Sequence, residues 1–318
     1  MNNLSTREIA FLAALNDSQL PKRQEYAEYF RDPAFLRDLY AAVFENDTDS
    51  LMAYPDHLRP LIARAEDLRE RDLLPFFADT IAAYRQNGTR ILPIFDAGYP
   101  KRLPEIPDPP LILYQAGREE SIAKPAAAVV GTRRISSEGI ARTREAVAIL
   151  VRLGYVIVSG LALGTDTCAH TAALEFGGET IAVLPGDIEA VVPRQNRNLA
   201  VAITASGSLL SEITPLTKMH KGRYIERNRI TSGLSEGVVV VETAASGGSV
   251  RQAEVAFRQG RPVYALKPDD SNTEAMAGYR RLVSSGAVPV ESPHDLSQYF
   301  GKLQQSPASR ATTLADFS

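Results

Sequence analysis

The chain has 318 residues, 44% of them hydrophobic and 23% charged, which suits one large α/β domain plus a smaller one around ordinary buried cores. Its formal net charge of −3 argues against non-specific coating of duplexes, so contact with nucleic acid requires positive charge concentrated in one place. The single Cys168 excludes an internal disulfide framework, and His57, His170, His220 and His294 have no metal-ligand spacing, so neither metal nor cofactor is expected.

At the N-terminus no basic start leads into an apolar run, and no apolar stretch nears the ~20 residues of a membrane span; the cytoplasm is the expected compartment. Residues 1–88 read as a helical domain. Ser5 and Glu8 have capping-box spacing ahead of Ile9, Phe11, Leu12 and Leu15. Further helices are expected over 33–45 and 59–86, the second ending at Asn87-Gly88.

From residue 89 to 301 the texture changes to short β-branched runs alternating with helical stretches. Strands are expected at 90–95, 126–130, 155–158, 180–184, 208–210, 237–241 and 262–266. The central runs are almost continuously apolar, as strands buried on both faces of a parallel sheet must be. Helices are expected at 137–153, 166–176, 196–206, 226–235 and 249–259. This alternation predicts a doubly wound, mostly parallel α/β sheet behind an N-terminal helical domain. Residues 302–318 are polar and read as a flexible tail, too short for a winged helix.

Open parallel sheets bind ligands where strands end and helices begin, because helix starts present unpaired N–H groups and a partial positive charge. In VVGTRRISSEG, Gly131 permits close backbone approach, Thr132 offers a hydroxyl, Arg133 and Arg134 offer forked donors, and Ser136 or Ser137 can cap the next helix. In VSGLALGTDTCAH, Ser159 and Gly160 again permit close approach. Asp166 and His170 are four apart and share a helix face, open to a capping Asp with a buried His or to an acid/base pair. In KGRYIERNRITSGLS, Lys221, Arg223, Arg227 and Arg229 fall together, Asn228 lies between the last two, and Tyr224 offers a ring among the cations. Arg227 and Arg229 diverge by roughly 200° on a helix, so one can face a ligand and the other a carboxylate. Finally Gly247, Gly248 and Ser249 follow the VVVV strand and open a helix, a further amide cradle. No nucleophile stands beside these groups, so no catalytic residue is assigned.

Taken in order, these segments resemble the DNA-processing protein A (DprA, or Smf) family. The matches are Gly131, Thr132, Arg133, Ser136 and Gly139; Ser159 to Ala162, Gly164, Asp166, Ala169 and His170; Thr180 to Leu184, Gly186, Asp187, Pro193 and Asn196; and Leu209 to Glu212, Lys221, Arg227 to Arg229 and Ser232 to Ser235. The segment departs from the family pattern at Leu163, Thr165, Val192 and Lys267-Pro268, and at Val250, Arg251 and Gln252. The resemblance implies an extended Rossmann-like fold, single-stranded DNA held in a positive pocket, a homodimer, and loading of the recombinase RecA during natural transformation. It implies that Gly131, Thr132 and Arg133 contact phosphate, with Lys221 and Arg227 or Arg229 completing the pocket. The competing reading is a nucleotide-binding or nucleotide-hydrolysing Rossmann-like protein, similar to cytokinin-releasing enzymes with Gly247, Gly248 and Glu254 as its loosely matching residues, or a nucleotide-sensing defence protein as a variant of the same idea.

Overall fold

The computed structural model describes residues 4–18, 23–45 and 51–305. These fall into two units. The first comprises Met1–Ala116, Pro185–Ala190 and Leu210–Arg223, and the second Gly117–Leu184, Val191–Leu209 and Tyr224–Ser318.

The first unit opens with α1 (Thr6–Asp17), started by a full capping box: Glu8 N–H donates to the Ser5 hydroxyl and Ser5 N–H to the Glu8 carboxylate. Burial runs from Glu8 to Asp17, so α1 is a central helix rather than a one-sided one. Its buried Asn16 is satisfied at both ends, donating to Glu212 O at 2.7 Å and accepting from Leu111 N at 3.2 Å. After the short α2 (Arg23–Ala27), helices α3 (Pro33–Phe44), α4 (Arg59–Glu70) and α5 (Leu74–Gln86) pack against α1. The single helix expected over 59–86 is therefore two. Asp72 breaks it with φ +49, and Pro75, in the first turn of α5, has no N–H to continue the ladder of α4. Strands β1 (Arg90–Pro93) and β2 (Ile112–Gly117) pair antiparallel, Arg90 opposite Gln115 and Pro93 opposite Ile112.

The second unit carries β3 (Ala126–Val130), α6 (Ser137–Arg152), β4 (Val156–Ser159), α7 (Thr165–Glu175), β5 (Thr180–Val183) and α8 (Arg197–Ser206). Strand β6 (Ser208–Ser211) and the short α9 (Lys221–Glu226) straddle the division, and α10 (Asn228–Leu234), β7 (Gly237–Val240), α11 (Gly248–Arg258), β8 (Val263–Leu266), α12 (Thr273–Ser284), β9 (Val288–Val290) and α13 (Leu296–Gln305) follow. The helix expected over 226–235 is thus two short ones meeting at Arg227. Helix α13 extends to Gln305, so the expected tail does not begin at 302; residues 306–318 lie outside the described residues.

Within this unit the order is β5-β4-β3-β7-β8-β9, every pairing parallel. That is the doubly wound Rossmann-like arrangement. Side chains alternate across it. Ala127 and Val129 of β3 pack with Ala146, Val147 and Leu150 of α6 and Ala173 of α7, while Ala128 and Val130 pack on the opposite face with Val250, Ala253 and Ala256 of α11. Small residues on β3 and on the helices let backbones approach, and each fully buried valine of β7 stabilises the sheet by about 1.5–3 kcal/mol. From β3 the chain winds outward in one direction through β4 and β5, then returns to lay β7 on the other side of β3. The C-terminal ends of β3 and β7, with Val130 opposite Val240, therefore form the switch point. No helix among the described residues is long and apolar enough to cross a membrane.

Candidate functional site

The loop leaving β3 is fixed at Thr132 by two backbone bonds. Thr132 N–H donates to Glu242 O at 2.7 Å, and Thr132 O accepts from Thr165 N at 3.1 Å. Ser136 caps α6, its hydroxyl accepting from Gly139 N at 2.9 Å. The buried Glu242 carboxylate in turn accepts from Ser136 N–H at 3.0 Å and from the Ser136 hydroxyl. Gly131 is required by packing: a Cβ there would lie 2.3 Å from Thr165 Oγ1. With the backbone held, Arg133 and Arg134 project into solvent, and the Arg133 guanidinium rests 5.4 Å from the centre of the Tyr224 ring. Such a cation–π contact adds about 0.5–1 kcal/mol at an exposed site and limits where the guanidinium points.

The loop leaving β4 is built on Asp166. Its Oδ2 accepts from Gly160 N at 3.1 Å and Ala162 N at 3.3 Å, folding the loop over the start of α7 and holding Leu161 at φ +56. Asn196 braces the far side, donating to Leu161 O and Thr167 Oγ1, both at 2.8 Å. Ser159 is wholly buried and donates to Val129 O at 2.7 Å. The guanidinium of Arg227 fills the space above Gly160, where a Cβ would lie 1.8 Å from its Nη1, and Nη1 donates to Val183 O. Gly160 thus makes room for Arg227. Burial raises the Asp166 pKa above the ordinary carboxylate range, while Arg227 beside it and the loop amides pull it down.

His170 has a separate task. The Thr180 hydroxyl gives its proton to Ile157 O at 2.7 Å, so at the 2.7 Å contact between Thr180 Oγ1 and His170 Nδ1 the imidazole is the donor. Burial, then the charge of Arg227, lowers its pKa to about 3, so the ring is neutral. Asp166 ties down a loop and His170 braces β5, so the two do not form an acid/base couple.

At the end of β7, Gly247 precedes α11 with no side chain capping the helix, so the amides of Gly248 and Ser249 open it. Gln252, one turn further on, donates to Asn228 O at 2.9 Å and ties α11 to the start of α10.

These loops surround one cavity of about 510 Å3 at the switch point. Of the residues singled out from sequence, its wall contains Gly131, Thr132, Arg133, Gly160, Arg227, Asn228, Gly247, Gly248 and Ser249. Ser159 and Arg229 are buried outside it, and Lys221 belongs to the first unit, where it is exposed. Arg134, Arg251 and Tyr224 join the wall, so four arginines face two acids, Asp166 and Glu274, in a chain whose net charge is −3. Sequence reasoning passed over Arg251 and Glu242 as site residues. Arg251 stands three residues after Gly248, on the first turn of a helix whose start had been noted. Glu242 is an acid directly following a buried strand, where only a structural partner makes its burial tolerable. Glu254 is half-exposed, lies 3.9 Å from Arg281, and is not in the wall. Among the described residues no three His, Cys, Asp or Glu side chains cluster as a metal site.

Comparison with known proteins agrees with this architecture. The family profile of DNA recombination-mediator protein A matches residues 90–301. The chain is 37% identical to DNA processing protein DprA of Bacillus subtilis over 223 residues, covering 70% of this chain and 75% of that one. It is 35% identical to protein Smf of Synechocystis over 239 residues, 74% of this chain and 59% of the relative. Among solved structures, DprA of Streptococcus pneumoniae superposes with a TM-score of 0.70 at 29% identity, covering 92% of this chain and 97% of that one. DNA processing protein A of Helicobacter pylori, whose structure concerns a single-stranded DNA binding mode, gives a TM-score of 0.60 at 28% identity over 67% of this chain and 96% of that one. On the matched residues, the identities and the shared fold, the chain belongs to the DNA recombination-mediator protein A (DprA/Smf) family.

Proposed function

We propose that this chain is a DNA-processing protein that binds single-stranded DNA through its phosphates at the switch-point cavity. The observation that carries the reading is the meeting of Arg133, Arg134, Arg227 and Arg251 with the open amides of α11 around one concavity. The exposed guanidiniums of Arg133, Arg134 and Arg251 supply forked donors for phosphate oxygens, the buried Arg227 adds positive charge at the floor, the helix start adds N–H groups and a partial positive charge, and the Tyr224 ring supplies a surface for a base. Nothing in this set reads base edges, so binding is sequence-tolerant and salt-sensitive. The Helicobacter relative's single-stranded DNA binding mode supports the same ligand.

Phosphate contact rests with Gly131, Thr132, Arg133, Arg227, Asn228, Gly247, Gly248 and Ser249 in the wall, with Ser159 and Gly160 shaping the loop behind it. Lys221 and Arg229 contribute positive charge or local support rather than wall contacts. The domain division is a helical N-terminal region, 1–88, followed by a Rossmann-like region, 89–301, with residues 89–116, 185–190 and 210–223 of the latter grouped with the helices in one compact unit. In the cell the protein protects incoming or exposed single strands in the cytoplasm, acts as a homodimer and assists RecA loading. The test is fluorescence anisotropy with labelled oligo-dT at low salt. Arg133→Glu weakens binding by about tenfold or more while circular dichroism is unchanged. Unaltered affinity would refute the site. RecA filament assembly on oligo-dT coated with a single-strand-binding protein, with and without the chain, tests the loading step.

A further inference from the structure

We propose that a second cavity, built wholly within the first unit, binds a nucleoside phosphate. This cavity measures about 490 Å3, and its wall carries Arg64, Arg71, Lys218, His220 and Arg223 against one lining acid, Asp17. Asp67 ion-pairs with Arg64 and, at 3.6 Å, with Arg71, which offsets one of these charges; Arg223 is buried and, like His220, has interactions of its own, so the positive charge offered to a ligand is that of Lys218 and of the arginine that Asp67 does not neutralise. The Asp17 carboxylate is turned onto the neighbouring loop. Its Oδ2 accepts from Thr214 N–H at 3.1 Å, from the Thr214 hydroxyl, and from the Thr217 hydroxyl at 2.6 Å. Asp17 therefore anchors the 214–217 loop that presents Lys218 through Oδ2, while its buried Oδ1 accepts no hydrogen bond.

Two further features favour an anion carrying a flat ring. Helix α5 starts on this wall, at Leu73, Phe76 and Phe77, with no side-chain cap, so its amide end adds to the positive field. The opposing C-terminal end of α1 is quenched, because Ser18 N–H donates to Ala14 O and Leu15 O, and the Ser18 hydroxyl donates to Leu15 O at 2.7 Å. At the rim, Phe76 is 59% exposed and Leu216 47% exposed. Large apolar side chains left in water beside a cluster of cations suit a base stacked on the ring with its phosphates on the arginines and lysine. An acidic peptide would use the cations and leave the ring wet. The volume is that of a small-molecule site and takes one nucleotide.

The ligand is either a free nucleotide or one nucleotide of a strand, and the test separates these sources. Titration calorimetry of the full chain with dATP, in buffer containing EDTA, reads binding directly. Lys218→Glu and Arg71→Glu, both at exposed positions, each weaken dATP binding by about tenfold or more, and Phe76→Ala does so by about tenfold, while Arg133→Glu leaves it unchanged. Inorganic triphosphate binds more weakly than dATP to the wild type and is insensitive to Phe76→Ala. Displacement of dATP by oligo-dT assigns the cavity to a strand, and failure of displacement assigns it to free nucleotides. No binding of dATP, binding indifferent to Lys218→Glu and Arg71→Glu, or loss on Arg133→Glu instead would overturn the proposal, as would hexaglutamate binding in place of dATP. Failure of Arg133→Glu to weaken oligo-dT binding would refute the switch-point reading and leave this one standing.

Discussion

Replacing Gly160 by alanine tests whether Arg227 acts on phosphate, without touching a charged residue. The added methyl carbon would sit 1.8 Å from Arg227 Nη1 and 2.2 Å from Nη2, so the guanidinium must leave its seat. The obstacle is the far end of a flexible side chain, so the sheet and loop survive. What is lost is the bond to Val183 O and the proximity to Asp166. A hydrogen bond from a charged donor is worth about 1.5–3 kcal/mol. At the usual unfolding entropy per residue, a loss of about 2 kcal/mol lowers Tm by about 3 °C for a chain of this size. Loss of one positioned arginine–phosphate contact weakens oligo-dT binding by about tenfold, or 1.4 kcal/mol. Differential scanning fluorimetry and anisotropy with labelled oligo-dT read the two effects on one preparation. Gly301→Ala serves as the control, because nothing lies within 4 Å of its added carbon and Gly301 is not in the cavity wall. A Gly160→Ala protein that melts lower yet binds oligo-dT with wild-type affinity would refute a role for Arg227 at the strand.

Arg251→Glu reduces the salt dependence of oligo-dT binding. Three exposed arginines, Arg133, Arg134 and Arg251, give a slope of log affinity on log salt near −2 at about 0.7 per phosphate, and the variant lowers its magnitude by about 0.7. Glu242→Gln lowers stability by about 1–3 kcal/mol and loosens oligo-dT binding, because the carboxylate that accepts from Ser136 N–H and the Ser136 hydroxyl no longer offers two acceptors; circular dichroism melts and anisotropy check it. His170 has its folded pKa depressed from 6.5 to about 3, so the folded state binds fewer protons and its stability contribution is lost as pH falls below about 6.5. By about pH 5 this amounts to about 2 kcal/mol, and a His170→Gln protein shows a correspondingly smaller drop in denaturant midpoint between about pH 7.5 and 5. Asp17 has the opposite sign: burial raises its pKa from 3.8 to about 6, so stability is gained on acidification through that range, and Asp17→Asn removes the gain in the same titration.

The sheet was legible because parallel strands buried on both faces leave a nearly unbroken apolar record, as in the Ala126–Val130 and Val238–Val241 runs. Strands β2 and β9 were not. Ile112 to Gly117 follows a proline-rich entry and pairs antiparallel, and Val288–Val290 is three residues long with a central proline, tolerated at the edge of the strand order. Helix α5 was merged with α4 because leucine and alanine continue across the break; Asp72 and Pro75 marked it. At the site, the basic and glycine-rich segments could be read as phosphate chemistry, but not which glycines serve a ligand. Gly131 and Gly160 make room for Thr165 and Arg227, contacts between residues distant in sequence. The support given by Glu242 and Asn196 has the same origin: a residue's partner across the sheet has no local signature. Nor could spacing say which arginine of Arg227 and Arg229 enters the wall, because the two helices meeting at Arg227 replace the continuous one assumed.

A crystal structure of the chain with a short oligo-dT decides whether the switch-point cavity holds the strand. One phosphate is expected within hydrogen-bond distance of the Arg133 guanidinium and another on the amides of Gly248 and Ser249, with a base against Tyr224. A strand lying wholly on another surface, with those groups facing only solvent, would contradict that expectation.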